Sequence, residues 1–265
     1  MGSLSDFAEN ELLDHVFNGS YTPPSTVYLG LSTADPLDDK SGLAEPSGNG
    51  YARQAIAFSA ASARAIIQNG AVNYGQATGA WGTITQWGLF DALTNGNMLA
   101  HGQLSTSKVV NTGNTPSVAT IEVQVSINAG AVSNYLANKL LDFMFRNQAF
   151  AQPATYIALC TASVSDSDTG STITEPAGGS YARKQVNPNG GSSPTWDLAS
   201  GGALDNTHDI VIGPPTGSWG TIGYMAIVDA LTSGNLLFYD DITDDTPDDG
   251  DTVKFPAGDL DVSLS

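Results

Sequence analysis

The chain has 265 residues, of which 14% are charged and 41% hydrophobic, against about 25% charged in an average soluble protein. Twenty-seven Asp and Glu oppose nine Lys and Arg, a formal charge of -18. That balance argues against DNA, RNA or anionic lipid as partners, because binders of phosphate need clustered cations. The apolar content is ample for a core, but no run nears the ~20 apolar residues that span a bilayer.

In chain order, Ser5 reads as a helix N-cap, with Asp6 and Glu9 in the first turn and Leu12, Leu13, Val16 and Phe17 on a broad apolar face. Gly19 ends that helix. Thr26 to Leu31 is a short strand rich in β-formers. Ala52 to Phe58 alternates between small and large residues, and Ile121 to Ile127 alternates without a break. A second helical pattern starts at Ser133 and carries Leu136, Leu140, Leu141, Met144 and Phe145. After it come strands at Thr155 to Leu159 and Leu260 to Leu264. Asn-Gly, Gly-Asn and Asp-Gly steps separate the strands, as hairpins require.

These elements occur twice. Ser5-Asp6-Phe7 corresponds to Ser133-Asn134-Tyr135, and Tyr28-Leu29-Gly30-Leu31 to Tyr156-Ile157-Ala158-Leu159. Glu45-Pro46 with Tyr51-Ala52-Arg53 corresponds to Glu175-Pro176 with Tyr181-Ala182-Arg183. Trp81-Gly82-Thr83-Ile84 with Asp91-Ala92-Leu93-Thr94 corresponds to Trp219-Gly220-Thr221-Ile222 with Asp229-Ala230-Leu231-Thr232. The shift between matched blocks grows along the chain, so insertions fall between them, as in the Gly/Ser/Pro-rich stretch Asn187 to Ser193. With no second helix per repeat to make crossovers, the pattern predicts a mainly β protein. It consists of two tandem antiparallel β-sandwich domains, each preceded by a short α-helix, at residues 1–130 and 131–265.

The repeated strings carry a resemblance. Asn10-Glu11-Leu12-Leu13-Asp14-His15, Tyr21-Thr22-Pro23-Pro24, the strand Tyr28 to Pro36, Gly50-Tyr51-Ala52-Arg53-Gln54 and Trp81-Gly82-Thr83-Ile84 are similar to a family of tailed-bacteriophage virion proteins. Its members are labelled tail-fibre or head-decoration proteins, and the family unit is usually a single copy. The second copy closes on the family's ending, Phe255-Pro256-Ala257-Gly258-Asp259-Leu260, whereas the first reads Thr115 to Ala119 there. The resemblance implies a structural role in the virion and brings no catalytic residues with it.

The residues themselves offer little chemistry. His15, His101 and His208 have no partners at metal-ligand spacing, and none recurs at the matched position of the other copy. Cys160, the single cysteine, takes the place of Ser32 in a buried-looking strand, so it reads as a packed thiol rather than a nucleophile. The acidic run Asp240 to Asp251 contains the candidate metal ligands Asp244, Asp245, Asp248, Asp249 and Asp251. Their spacing misses the EF-hand pattern, which favours a solvated loop over an ion site. The glycine pairs, among them Gly190-Gly191, lack the strand-to-helix context of a phosphate cradle.

Structural and assembly candidates are therefore Arg53 and Arg183, Leu12 and Leu13, Leu140 and Leu141, and Trp81 and Trp219. Each arginine is expected to pair with the glutamate upstream, Glu45 or Glu175. The tryptophans are expected to fill the core, and the helical leucines to supply anchoring contacts. No cofactor is implied. The expected function is non-enzymatic: a virion structural protein, made in the host cytoplasm and assembled on the particle exterior as a capsid decoration or cement protein. Its partners would be the major capsid protein or other virion proteins, with self-association into a homo-oligomer. The alternative is a tail-fibre or minor tail protein that binds host glycan. An enzyme, the third possibility, would need paired carboxylates at a cleft.

Overall fold

Among the described residues the chain forms seventeen short strands and two helices. They are seen in a computed structural model of the chain, which describes residues 2–19, 21–128, 131–186 and 195–264. The stretch Asn187 to Ser193, with its Gly190-Gly191 pair, lies outside the described residues. The first repeat runs β1 (Ser3–Leu4), α1 (Asp6–Phe17), β2 (Val27–Ser32), β3 (Gln54–Ile56), β4 (Ala65–Ile67), β5 (Val72–Asn73), β6 (Gly82–Phe90), β7 (Met98–Val110), β8 (Ser117–Val118) and β9 (Gln124–Ser126). The second runs α2 (Asn134–Arg146), β10 (Thr155–Cys160), β11 (Lys184–Val186), β12 (Ala203–Asp205), β13 (Ile210–Ile212), β14 (Ile222–Val228), β15 (Leu236–Asp245), β16 (Val253–Phe255) and β17 (Asp261–Ser263).

The two repeats share one topology, except that β1 has no counterpart strand in the second repeat among the described residues. The main sheet of the first has the order β1-β7-β6-β2-β3, and that of the second β15-β14-β10-β11. Opposite it lie two ladders, β4 with β9 and β5 with β8 in the first repeat, β12 with β17 and β13 with β16 in the second. All these strand pairs are antiparallel. The expected mainly β, twofold-repeated architecture is what the chain adopts.

Each helix is set by its cap. Ser5 Oγ accepts the Ala8 N–H at 3.3 Å and donates to the Met98 carbonyl, while Ser5 N–H bonds the Leu99 carbonyl. Ser133 repeats this, with its hydroxyl accepting from Leu136 and donating to the Leu236 carbonyl. A serine thus satisfies a helix end and ties it to the strand β7 or β15 in one step.

Two compact units are present, each assembled from three segments. Unit 1 comprises Met1–Leu12, Thr22–Asn128 and Asn138–Phe150; unit 2 comprises Leu13–Tyr21, Ala129–Ala137 and Ala151–Ser265. Within unit 1, the Phe145 ring lies 5.5 Å from Phe58, and Asp142 accepts the Ala61 N–H. Within unit 2, Phe17 lies 4.6 Å from Trp196, and Asp14 accepts the Ala199 N–H. The same carboxylate and aromatic positions are used in both. Leu12, Leu13, Leu140 and Leu141 are completely buried, so they serve the chain's own core and present nothing at the surface.

One predicted strand starts later than its pattern suggests. Val123, Val125 and Ile127 are buried as alternation requires, but Ile121 is 71% exposed at φ +64° in a turn. Glu122 N–H closes that turn on the Ala119 carbonyl, and the Glu122 carboxylate accepts the Ser105 hydroxyl at 2.8 Å.

Candidate functional site

The most heavily bonded side chains are the repeated arginines. Arg53 sits just before β3, and Glu45 lies in the loop that follows β2. The guanidinium donates Nε–H to Glu45 Oε1 at 3.0 Å and Nη2–H to Oε2 at 2.6 Å. Its Nη1 reaches the carbonyls of Ala92 at 3.0 Å and Asn95 at 2.7 Å, on the tip between β6 and β7. The Phe90 ring lies 3.3 Å from the guanidinium carbon, a cation–π contact. Tyr51 O–H adds a bond to Glu45 Oε1 at 2.6 Å.

The second repeat reproduces the arrangement. Arg183 donates Nε–H to Glu175 at 3.1 Å and Nη2–H to it at 2.7 Å, and Nη1 bonds the carbonyls of Ala230 and Ser233 at 2.8 and 2.7 Å. Tyr181 O–H donates to Glu175 at 2.7 Å. Burial, together with the adjacent glutamate, raises the pKa of Tyr51 and Tyr181 well above the ordinary tyrosine value, so both stay neutral donors. The internal pairing expected from the sequence is therefore present in both copies.

The clamps grip a tip that also holds itself. The Asp91 carboxylate accepts Asn97 N–H at 2.7 Å and Asn97 Nδ2–H at 2.9 Å, and Asp229 does the same with Asn235. Gly96 has φ +67°, and a Cβ there would stand 2.2 Å from Asp91 Oδ1, so the tip requires glycine. Each fixed tip presents one leucine: Leu93 and Leu231 are 49% and 53% exposed.

Trp81 and Trp219 are core residues. Each is almost fully buried, meets Tyr51 or Tyr181 edge-on at 5.2 and 5.3 Å, and donates Nε1–H to a loop carbonyl, Asn49 or Gly179, at 2.9 Å.

The remaining candidates do not converge. Asp244 and Asp245 stand at the end of β15, whereas Asp248, Asp249 and Asp251 lie in the loop before β16, where the Asp251 carboxylate accepts Asp248 N–H at 3.0 Å. Among the described residues, no group of three His, Cys, Asp or Glu side chains is placed to hold a metal ion. His15 Nδ1 accepts the Tyr21 N–H, His101 meets Asp38 at 2.7 Å, and His208 meets Thr207. Cys160 is buried in the cluster of Ala158, Ala226, Val228 and Leu236, and burial pushes its thiol up to about 12. Among the described residues no helix is long and apolar enough to cross a membrane.

Two repeats with matching, internally paired arginine clamps are thus on view. A family model described as podophage GP4 fiber I protein gp80 matches residues 3–126 and again residues 131–263. The chain belongs to this fiber-protein family. It carries the gp80 unit twice in tandem, as the resemblance to phage virion proteins implies, and so is a virion structural protein of a phage. No curated protein matches it. Both Arg-Glu-Tyr clamps fall inside the matched segments.

What the sequence missed was the tip. The Asp91–Asn97 and Asp229–Asn235 turns are repeated strings, but their link to Arg53 and Arg183 spans some forty residues or more and leaves no local signal.

Proposed function

We propose that this chain acts in the tail fibre of a phage particle, as a non-enzymatic structural module, and not as a capsid decoration or cement protein. The family's fiber designation supports that placement over the outer-capsid one. The clamped tips support a role exerted through surfaces: two copies of one fixed shape, each carrying one exposed leucine, offer two equivalent contacts from a single chain. Linked equivalent contacts raise effective concentration, which suits assembly with other virion proteins or with further copies of this chain. The arginines, glutamates and buried tyrosines have their polar atoms committed to one another, so the clamps position rather than react.

Quantitative gel analysis of purified particles tests the placement. Fibre proteins occur in small symmetric multiples, so a copy number on the order of ten is expected. A number in the hundreds, together with loss of shell stability when the gene is deleted, would establish the capsid reading instead. Glycan-array binding by the isolated protein tests whether the fibre role extends to the host receptor.

A further inference from the structure

Among the cross-strand pairs at which the two repeats differ, one lies at a groove in unit 2. In the first repeat, Trp87 on β6 stands opposite Gly102 on β7. The indole is buried, and a Cβ on Gly102 would lie 2.5 Å from its Cζ2, so the pair admits only glycine beside the ring. Gly2 closes over the same indole, where a Cβ would meet Trp87 Cη2. In the second repeat the matched pair is Met225 opposite Asp240. A slimmer thioether replaces the indole, and a carboxylate takes the glycine's place.

The groove, of about 780 Å³, lies between β14–β15 and β16–β17 and is within the size range of ligand sites. Its floor is apolar, formed by Met225, Ile227, Phe238, Val253 and Phe255. Its walls are acidic: Asp240, Asp241, Asp244, Asp245, Asp259 and Asp261 line it. The cation along the lining, Lys254, is held at 2.6 Å by Asp209. One flank is the outer strand of the main sheet. Beyond Phe238, which bridges to Val132, and Tyr239, whose N–H bonds the Ala131 carbonyl, the segment Asp240–Asp245 has no strand on its outer side among the described residues.

We propose that this groove docks an extended polypeptide segment of another protein, one that alternates apolar residues with Lys or Arg. An extended segment adds to an open strand edge through its backbone, and its alternate side chains then face opposite ways. One set fills the apolar floor left by the missing indole, and the other meets the carboxylates on the walls. In the first repeat the matching position is taken up by the buried Trp87 indole with Gly2 closed over it. The inference goes beyond the fibre reading and stands on unit 2 alone.

The test uses the full-length protein and a fluorescein-labelled peptide of alternating Lys and Val, read by fluorescence anisotropy. Peptides of alternating Lys and Gly and of alternating Glu and Val serve as comparators. The Lys-Val peptide is expected to bind with a Kd on the order of 10 μM at low salt, at least about tenfold tighter than either comparator. Met225→Trp combined with Asp240→Gly, which rebuilds the first repeat's pair, is expected to abolish binding. Asp241→Asn with Asp244→Asn, which leaves the groove's shape intact, is expected to weaken it about tenfold. Should the rebuilt pair fail to fold, as judged by circular dichroism, the charge pair and hydrogen-exchange protection of Asp240–Asp245 by the peptide decide the matter. Equal affinity for the Lys-Gly peptide, unchanged binding in the variants, or no binding at all would overturn the proposal, leaving the acids as a shield against edge-to-edge aggregation.

Discussion

Replacing Arg53 by methionine isolates the contribution of one clamp. The substitution keeps an unbranched side chain as far as the position of Nε and removes every hydrogen-bond donor. Glu45, whose side chain is 19% exposed, then loses its counter-charge and keeps the Tyr51 hydroxyl as partner. The Ala92 and Asn95 carbonyls lose the donor that ties the tip down. Removing one partner of a buried ion pair costs about 3–5 kcal/mol, most of it from the charge left behind. With the tip carbonyls partly rehydrated, a destabilisation of about 4 kcal/mol is expected, a fall in Tm of roughly 10 °C for a chain this long. Combining Arg53→Met with Glu45→Gln removes the stranded charge and should restore about 2 kcal/mol, so the double variant is more stable than the single one. Urea unfolding gives the stabilities, and hydrogen exchange on peptides from 85–100 reports whether the tip loosens. Arg183→Met provides an internal replicate with matching geometry. A cost below about 1 kcal/mol, or a double variant no better than the single, would refute the reading that the clamp carries a buried charge pair.

Two further outcomes follow from buried titratable groups. Burial, with Asp38 and Asp6 adding repulsion, raises the Glu9 carboxyl to about 7. A raised carboxyl makes the fold most stable where the group is protonated, so Glu9's contribution is full below about pH 4.5, is lost as pH rises toward 7, and stays lost above. Glu9→Gln should therefore flatten the wild-type decline between those limits and gain roughly 1–3 kcal/mol at pH 8, measured as the difference in urea midpoints. An unchanged slope would contradict it. Cys160, buried and with its thiol pushed up, should resist Ellman's reagent at pH 8 in the native protein and react at once in urea. Rapid labelling of the folded chain would show the β10 core to be open.

How much was legible depended on range. The pairing of Arg53 with Glu45 and of Arg183 with Glu175 could be read because the partners lie eight residues apart and recur in both copies. Ile121 misled because alternation alone does not show where a turn begins, and the strand β9 starts only at Gln124. The tips around Leu93 and Leu231 became candidates only when the fold brought the arginine just before β3 or β11 against a hairpin far along the chain. The groove was hidden for a similar reason. The acidic run from Asp240 to Asp251 is plain in the sequence, but its apolar floor comes from β14, β15 and β16, and its existence depends on Met225 standing where the other repeat has Trp87.

Duplication, the β class and the phage affiliation all resided in the order of the residues, because period, turn chemistry and repeated strings are local properties. Which sheet received each half of each helix was a matter for the folded chain. Leu13–Tyr21 joins unit 2 and Asn138–Phe150 joins unit 1, although by sequence each belongs to the other repeat. A helix whose apolar residues cover more than one face declares that it will be buried, and only the packing of Phe17 on Trp196 and of Phe145 on Phe58 selects the surface that buries it.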